Sequence, residues 1–294
     1  MIADAGPRFG VRKLTDRVGT WASIVAVAIA IVPLIGLIGF VIQRGGAELS
    51  WHFLTTPAPA SPDGGLAGGI STPIVGTLII VGLTCVMGIP LGILSGIYLA
   101  TSRGGRFTQG VRFACDVIAG LPSILAGILV GAFLLTYDRN QPSALAASVA
   151  LTLLMFPTVT RATDAALSAI PPELREAALG LGATDAKTVF KVLIPTAASG
   201  IVTAIILGIA RVAGETAPLL FTLGFLGYPT MNLNPFHGVM PALPGEIYVE
   251  ISSPFSKDKA LALGAAFVLF FIVMFLNLLA RAMTYRLSQR TRVV

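Results

Sequence analysis

The chain has 294 residues and a formal net charge of +6, with 55 % hydrophobic and 12 % charged residues, the latter about half the share of a soluble domain. With a mean hydropathy of +0.85, this composition excludes a disordered chain, a nucleic-acid-binding module and an ordinary cytosolic enzyme. A polytopic membrane protein remains, and the 32 Gly and 19 Pro suit transmembrane helices better than soluble ones.

A membrane helix needs roughly 20 apolar residues, so charge-free runs give the spans. Val18–Val41 is the first; its core is too long for a signal peptide, and Gln43-Arg44-Gly45-Gly46 is no small-residue cleavage site, so it reads as a retained helix. Gly64–Ser102 follows. Its glycine-rich start is loop, and about Ile70–Ala100 reads as one long helix bent near Pro90. Val117–Tyr137 and Asn140–Thr160 are separated only by Asp138-Arg139. Residues 196–227 have room for ~48 Å of helix, too little for two antiparallel spans, so Arg211 and Glu215 are expected inside one helix. Ala260–Ala280 is the last, and the total is six.

Charge supports this count. Six spans place Arg8, Arg12, Lys13, Arg17, Arg103, Arg106, Arg112, Arg161, Arg175, Lys187, Lys191, Arg281, Arg286, Arg290 and Arg292 on the side of both termini. The other side receives only Arg44, Arg139, Lys257 and Lys259, and Arg211 is intramembrane. By the positive-inside rule the termini are cytoplasmic. The division is a cytoplasmic segment 1–19 and one transmembrane domain 20–290, with outer loops 44–69 and 228–257 and a cytoplasmic loop 168–194. Trp51 and Phe53 are expected at the membrane interface. Tyr228–Ser256, with five prolines and His237, reads as an ordered cap.

The cytoplasmic loop reads as a helix–turn–helix. Pro171-Pro172-Glu173 starts a helix, and Leu174, Ala177, Ala178 and Leu181 recur on one face. Gly182 ends it; Thr184 or Asp185 caps a second short helix to about Val192, and Pro195 marks the next span. Docking element and plain surface connector both fit this pattern. Arg211 and Glu215 stand four residues apart, so they share a helix face and can pair. A charge at the bilayer centre costs ~2.5–3.5 kcal/mol. Either the pair only fixes packing, or it lines a pathway, where a guanidinium suits an oxyanion. In the second case Glu215 restrains Arg211 so that the anion can leave. Thr216 and Pro218 follow, Pro218 breaking the backbone ladder in the outer half.

Glu176-Ala177-Ala178, three residues, Gly182, nine residues and Val192-Leu193-Ile194-Pro195 resemble the "EAA" loop of bacterial ABC importer permeases, with Val192 and Ile194 as conservative departures. The string Arg211-Val-Ala-Gly-Glu-Thr-Ala-Pro-Leu-Leu-Phe-Thr222 resembles one narrower family, the PstA-type permeases of phosphate-specific importers. Leu49–Pro57, Gly68–Thr77, Ile89–Leu99 and Leu121–Gly127 agree with it, and the likeness covers about residues 15–290.

The resemblance implies an all-α integral membrane protein with the six-helix fold of type I importer permeases. It implies inorganic phosphate as substrate and Arg211, with Glu215, on its path; Thr216, the next residue, is placed there with them. Glu173, Leu174, Glu176, Ala177, Ala178 and Gly182 are then the residues that couple to an ATPase. The implied partners are a second, PstC-type permease, two PstB-type ATPase subunits and a PstS-type binding protein, in a bacterial cytoplasmic membrane. Phosphonate, sulfate or molybdate permeases remain alternatives, as does an ATP-independent anion channel or secondary transporter.

No G-x-x-x-x-G-K-[ST] loop occurs in the chain, so an ATPase must come from elsewhere; no cofactor, metal or nucleic acid is expected. His52 and His237 read as loop residues, Cys85 and Cys115 as packing residues, and Glu246 and Glu250 as a solvated face. Asp116 and Asp164 receive no pathway role. The C-terminal Arg281, Arg286, Arg290 and Arg292 anchor at the inner surface or meet anionic lipid headgroups.

Overall fold

The computed structural model describes residues 8–58, 68–102, 104–137, 142–223 and 234–291, and every regular element among them is helical. Four helices are long and apolar enough to cross a membrane: α1 (Arg8–Ala47), α3 (Ser71–Thr101), α6 (Ala144–Ser168) and α13 (Ser256–Thr291). A short α2 (Trp51–Thr55) precedes α3. Two bent pairs raise the count to six if each is one crossing. In the first, α4 (Arg106–Gly120) meets α5 (Ser123–Tyr137) at 103°. In the second, the segment Asp185–Thr196 meets α10 (Ala198–Ala213) at 72°. The expected Asp138-Arg139 turn, residues 59–67, 224–233 and Arg103 and Arg292 lie outside the described residues, as do the side chains of Arg8, Arg12, Arg286 and Arg290.

Close contacts at glycine fix the helix directions. On α3, Gly88, Gly92 and Gly96 meet Met155, Val159 and Thr163 of α6 in that order, so the two run parallel. On α10, Gly200 meets Ala166 and Gly208 meets Met155 and Val159, so α10 runs opposite to α6. On α5, Gly127 and Gly131 lie against Pro218 and Phe221 of α11 (Ala217–Thr222), so those two run parallel. Thr222 at the far end of α11 accepts from Ser143 N, at 3.1 Å, where α6 begins. Helices that lack a hydrophobic drive toward one another in lipid associate by close packing of small residues, and these glycines supply it. The alternation matches six crossings.

Helix α6 is the centre. Leu151, Met155 and Val159 are buried with Ile80, Val212, Leu219 and Met240 from the surrounding elements. Helix α1 is the opposite case: almost all its described side chains are exposed, and it meets α13 near its outer end, where Gly45 lies on the Leu263 backbone.

Two expectations change. The third apolar run, Val117–Tyr137, is not one helix, because Leu121-Pro122 interrupts it between α4 and α5; proline disfavours helix at the residue before it. Helix continuity through residues 196–227 fails too: α10 ends at Ala213, Gly214 is its cap, and α11 starts anew at Ala217. The ring of Pro218 excludes the helical position of the carbonyl four residues earlier, that of Gly214. Of the two aromatics expected at the interface, Phe53 is 7 % exposed, seated against Gly264 of α13, whereas Trp51 is 81 % exposed.

The outer cap is ordered where it is described. Residues 239–242 lead into α12 (Leu243–Ile251), which folds back over the outer end of α3. Leu243 N donates to Thr77 Oγ1 at 2.8 Å, and Gly76 lies against the Pro241 carbonyl.

Candidate functional site

Helix α10 carries Arg211 in its last turn. One turn earlier, Gly208 lets the α10 backbone sit against Val159 and Met155 of α6. That approach brings Arg211 Nη1 within 3.1 Å of Thr158 Oγ1, to which it donates. Thr158 in turn donates to Leu154 O at 3.4 Å, so its lone pairs are available to the guanidinium. Arg211 Nε is 3.9 Å from Glu215 Oε1, an ion pair without a hydrogen bond.

The Arg211 side chain is 40 % exposed and that of Glu215 22 %. At 3.9 Å and without a hydrogen bond, the pair is a loose one. The guanidinium has five donors in a fixed fork. Thr158 takes one, which orients the group while leaving the fork able to grip a tetrahedral oxyanion.

Sequence spacing brought Arg211 and Glu215 onto one helix face; they meet by another route. Glu215 lies beyond the helix end, and Gly214–Thr216 is a non-helical step between α10 and α11. Thr216 precedes α11 and its side chain makes no capping bond. All three predicted pathway residues therefore gather at one break in the helix. Backbone of this kind is tolerated at membrane depth only where protein or a water-filled cavity covers it.

Two further ion pairs lie along α6 toward the inner side. Arg112 Nη1 of α4 donates to Asp164 Oδ2 at 2.9 Å, and Ser168 Oγ donates to Asp164 Oδ1 at 3.3 Å. Arg161 of α6 pairs with Asp116 of α4. Each helix thus offers one arginine and one aspartate, and the pairs are crossed. In the sequence Arg112 and Arg161 stand out only as inside charges, and Asp116 and Asp164 have no assigned role. Opposite charges one turn apart in both segments were the available signal.

The loop after α6 folds largely as expected. Helix α7 (Pro172–Gly180) begins with Pro172 in its first turn and Glu173 behind it. It ends with Gly182 at φ +85°, a left-handed conformation suited to glycine, where Gly182 N and Ala183 N donate to Leu179 O and Ala178 O. Thr184 Oγ1 accepts from Lys187 N at 3.3 Å, capping α8 (Asp185–Thr188), and Arg175 reaches Asp185 at 3.4 Å. The second helix does not stop near Val192: a π-type stretch, Val189–Leu193, and α9 (Ile194–Thr196) carry it to α10.

The two halves of the loop differ in burial. Helix α7 buries no residue, so Glu173, Leu174, Glu176 and Ala177 are exposed and Ala178 is half-buried. The second half is anchored: Leu193 and Ala197 are buried with Leu167 and Ile201, against Ile93 and Ile97 of α3. A body seated on α7 would reach α3, α6 and α10 only through this second half.

The remaining candidates separate. Glu246 and Glu250 are not a solvated face: Glu250 is 3 % exposed in α12. The Glu246 carboxyl is pushed up to about 7 by burial and by the neighbouring Glu250 charge. His52 Nδ1 is 3.2 Å from Thr56 Oγ1. Among the described residues no three His, Cys, Asp or Glu side chains come together in a way that could hold a metal. Cys115 is buried and Cys85 half-buried, both without a disulfide.

Residues 88–293 match the family described as binding-protein-dependent transport system inner membrane component. Phosphate transport system permease protein PstA 1 of Mycobacterium tuberculosis strain H37Rv is 36 % identical over 287 residues, covering 96 % of this chain and 91 % of its own. The PstA of Haemophilus influenzae is 34 % identical over 275 residues, covering 93 % and 95 %. Among solved structures, a methionine ABC transporter in an inward-facing conformation aligns with TM-score 0.61 at 20 % identity, covering 74 % of this chain and 97 % of that one. A bacterial alginate ABC transporter with its periplasmic protein aligns with TM-score 0.62 at 15 % identity, covering 93 % and 97 %. The last two share the fold, that of type I importer permeases; the family match over residues 88–293 and the relatives at 34–36 % identity show that the chain belongs to the binding-protein-dependent transport permeases and, within them, to the PstA type.

Proposed function

We propose that this chain is the transmembrane permease subunit of an ATP-driven inorganic phosphate importer in a bacterial cytoplasmic membrane. The observation that carries the reading is Arg211: an intramembrane guanidinium, oriented by Thr158 and loosely paired with Glu215, at a break between two helices. Relatives named as phosphate permeases over most of their length supply the substrate class.

In this reading residues 20–290 are one permease domain and form half of the pathway; a PstC-type permease supplies the other half. A PstS-type binding protein releases phosphate at the outer face. Arg211 displaces its contact with Glu215 to grip the anion, and Thr216 borders the same opening. Glu215 then competes for Arg211 and keeps the anion from being held too tightly. Two PstB-type ATPase subunits bind beneath, and loop 168–194 takes up their motion through Glu173, Leu174, Glu176, Ala177 and Ala178, with Gly182 setting the turn. The anchored half of the loop passes that motion to α6 and α10, which hold Thr158 and Arg211.

The test is uptake of labelled phosphate into proteoliposomes that contain the assembled complex, with ATP inside and binding protein outside. Uptake that requires ATP and ignores excess sulfate is expected. Uptake without ATP, or blocked equally by sulfate, would overturn the reading.

A further inference from the structure

Helix α6 is the most enclosed of the crossing helices, yet one strip along it stays open: Thr158 is half-buried, and Arg161, Ala165 and Ser168 are exposed. Thr158 holds Arg211 at the top of this strip. Arg161 comes three residues later, about 4.5 Å further along the axis toward the inner end. Its side chain is 50 % exposed and that of its partner Asp116 68 %. Arg161 directly follows the apolar run Asn140–Thr160, so this open pair stands at the inner end of the crossing, where the strip reaches the side of the termini.

The two crossed pairs are not equivalent. Asp164 is 9 % exposed and also accepts from Ser168, so the Arg112–Asp164 pair is a fixed clamp between α4 and α6. The Arg161–Asp116 pair is open on both sides. It repeats the composition of the Arg211–Glu215 pair: one guanidinium, one carboxylate restraining it, both reachable from the same strip.

We propose that Arg161, restrained by Asp116, is a second station for the transported oxyanion, on the inner side of Arg211. This rests on the reading of Arg211 as a pathway residue. An anion leaving Arg211 would then meet a second guanidinium about one helical turn inward, and Asp116 would limit its dwell there as Glu215 does above.

The experiment uses the complete complex. A cysteine placed by Ala165→Cys lies one turn beyond Arg161 on the open strip and is treated with a charged thiol reagent, with the unsubstituted complex as background for Cys85 and Cys115. Labelling is expected, and inorganic phosphate should slow it several-fold where equal chloride does not. No labelling, no effect of phosphate, or protection that follows the anionic lipid content of the vesicle instead would overturn the proposal.

Transport gives the second arm. Arg161→Gln and the neutral pair Arg161→Gln/Asp116→Asn should each import phosphate at least tenfold more slowly, with binding-protein-stimulated ATP hydrolysis retained. A purely structural pair predicts normal import by the neutral double variant, and that result would overturn the proposal. Arg211→Gln is measured beside them: normal import by that variant with loss in the Arg161 variants would sink the Arg211 reading while leaving the inner site standing.

Discussion

The packing at Gly208 makes a quantitative demand on the site. A Cβ built at Gly208 lies 2.7 Å from Val159 Cγ2, 2.9 Å from Met155 Cε and 3.2 Å from Met155 Cγ. Carbon atoms in contact prefer about 3.5–4.0 Å, so Gly208→Ala overlaps Val159 by about 0.8 Å. The end of Met155 can turn aside, but Val159 cannot, because its other side is pressed against Gly92 of α3. Helix α10 must therefore move outward by a comparable distance. The Arg211–Thr158 bond, now 3.1 Å, would stretch toward 3.9 Å, outside hydrogen-bonding range.

Overpacking of this size costs about 1–3 kcal/mol. Gly208→Ala should lower the thermal midpoint of the detergent-solubilised complex and reduce phosphate import more than tenfold. Val159→Ala removes Cγ2, so the double variant Gly208→Ala/Val159→Ala should recover a large part of the import lost in the single variant. The assay is initial uptake rate alongside thermal stability. A Gly208→Ala protein as stable and as active as the parent would refute the argument that this contact sets the position of Arg211.

Other expectations follow from the same geometry. Glu215→Gln removes the competitor for Arg211, so the anion should bind tighter and leave more slowly: import should fall while ATPase binding to the complex is unchanged, and normal transport would remove the restraint from the mechanism. Gly182 sits at φ +85°, where a Cβ costs about 1–2 kcal/mol; Gly182→Ala should reduce ATPase co-purification without loss of the membrane-embedded subunit. Glu246, raised from 4.5 to about 7, binds a proton more readily folded than unfolded. Its contribution to stability is thus complete below about pH 4.5 and is lost as pH rises through about 7. The wild-type midpoint should fall over that window relative to Glu246→Gln, and parallel curves would show that Glu246 does not titrate in the folded cap.

What could be read in advance was what depends on local pattern. The 31-residue α3 with Pro90 inside it and the helix–turn–helix at Pro172–Thr188 follow from apolar runs and cap residues. The Arg211–Glu215 pair follows from four-residue spacing, although the helix that was meant to present it stops at Gly214. The proline rule that explains this stop acts on the residue four positions earlier, so the break falls at Gly214 rather than at Pro218 itself. Phe53 was legible only as an aromatic near a membrane boundary, because its burial needs Gly264, more than two hundred residues away in the chain. The crossed pairs between α4 and α6 join residues 45 and 52 positions apart; opposite charges one turn apart mark each segment as able to pair, but not with which partner. Thr158, the residue that orients Arg211, belongs to the same class: it is one of several threonines on α6, distinguished only by where Gly208 lets α10 approach.

The central claim is that Arg211 handles the transported anion. Its most direct test is ATP-driven phosphate uptake by Arg211→Gln in the assembled complex, at equal membrane abundance and equal ATPase binding. The account predicts that uptake falls to background while the complex still assembles and hydrolyses ATP. Wild-type uptake by this variant would contradict it and leave Arg211 a packing residue at the end of α10.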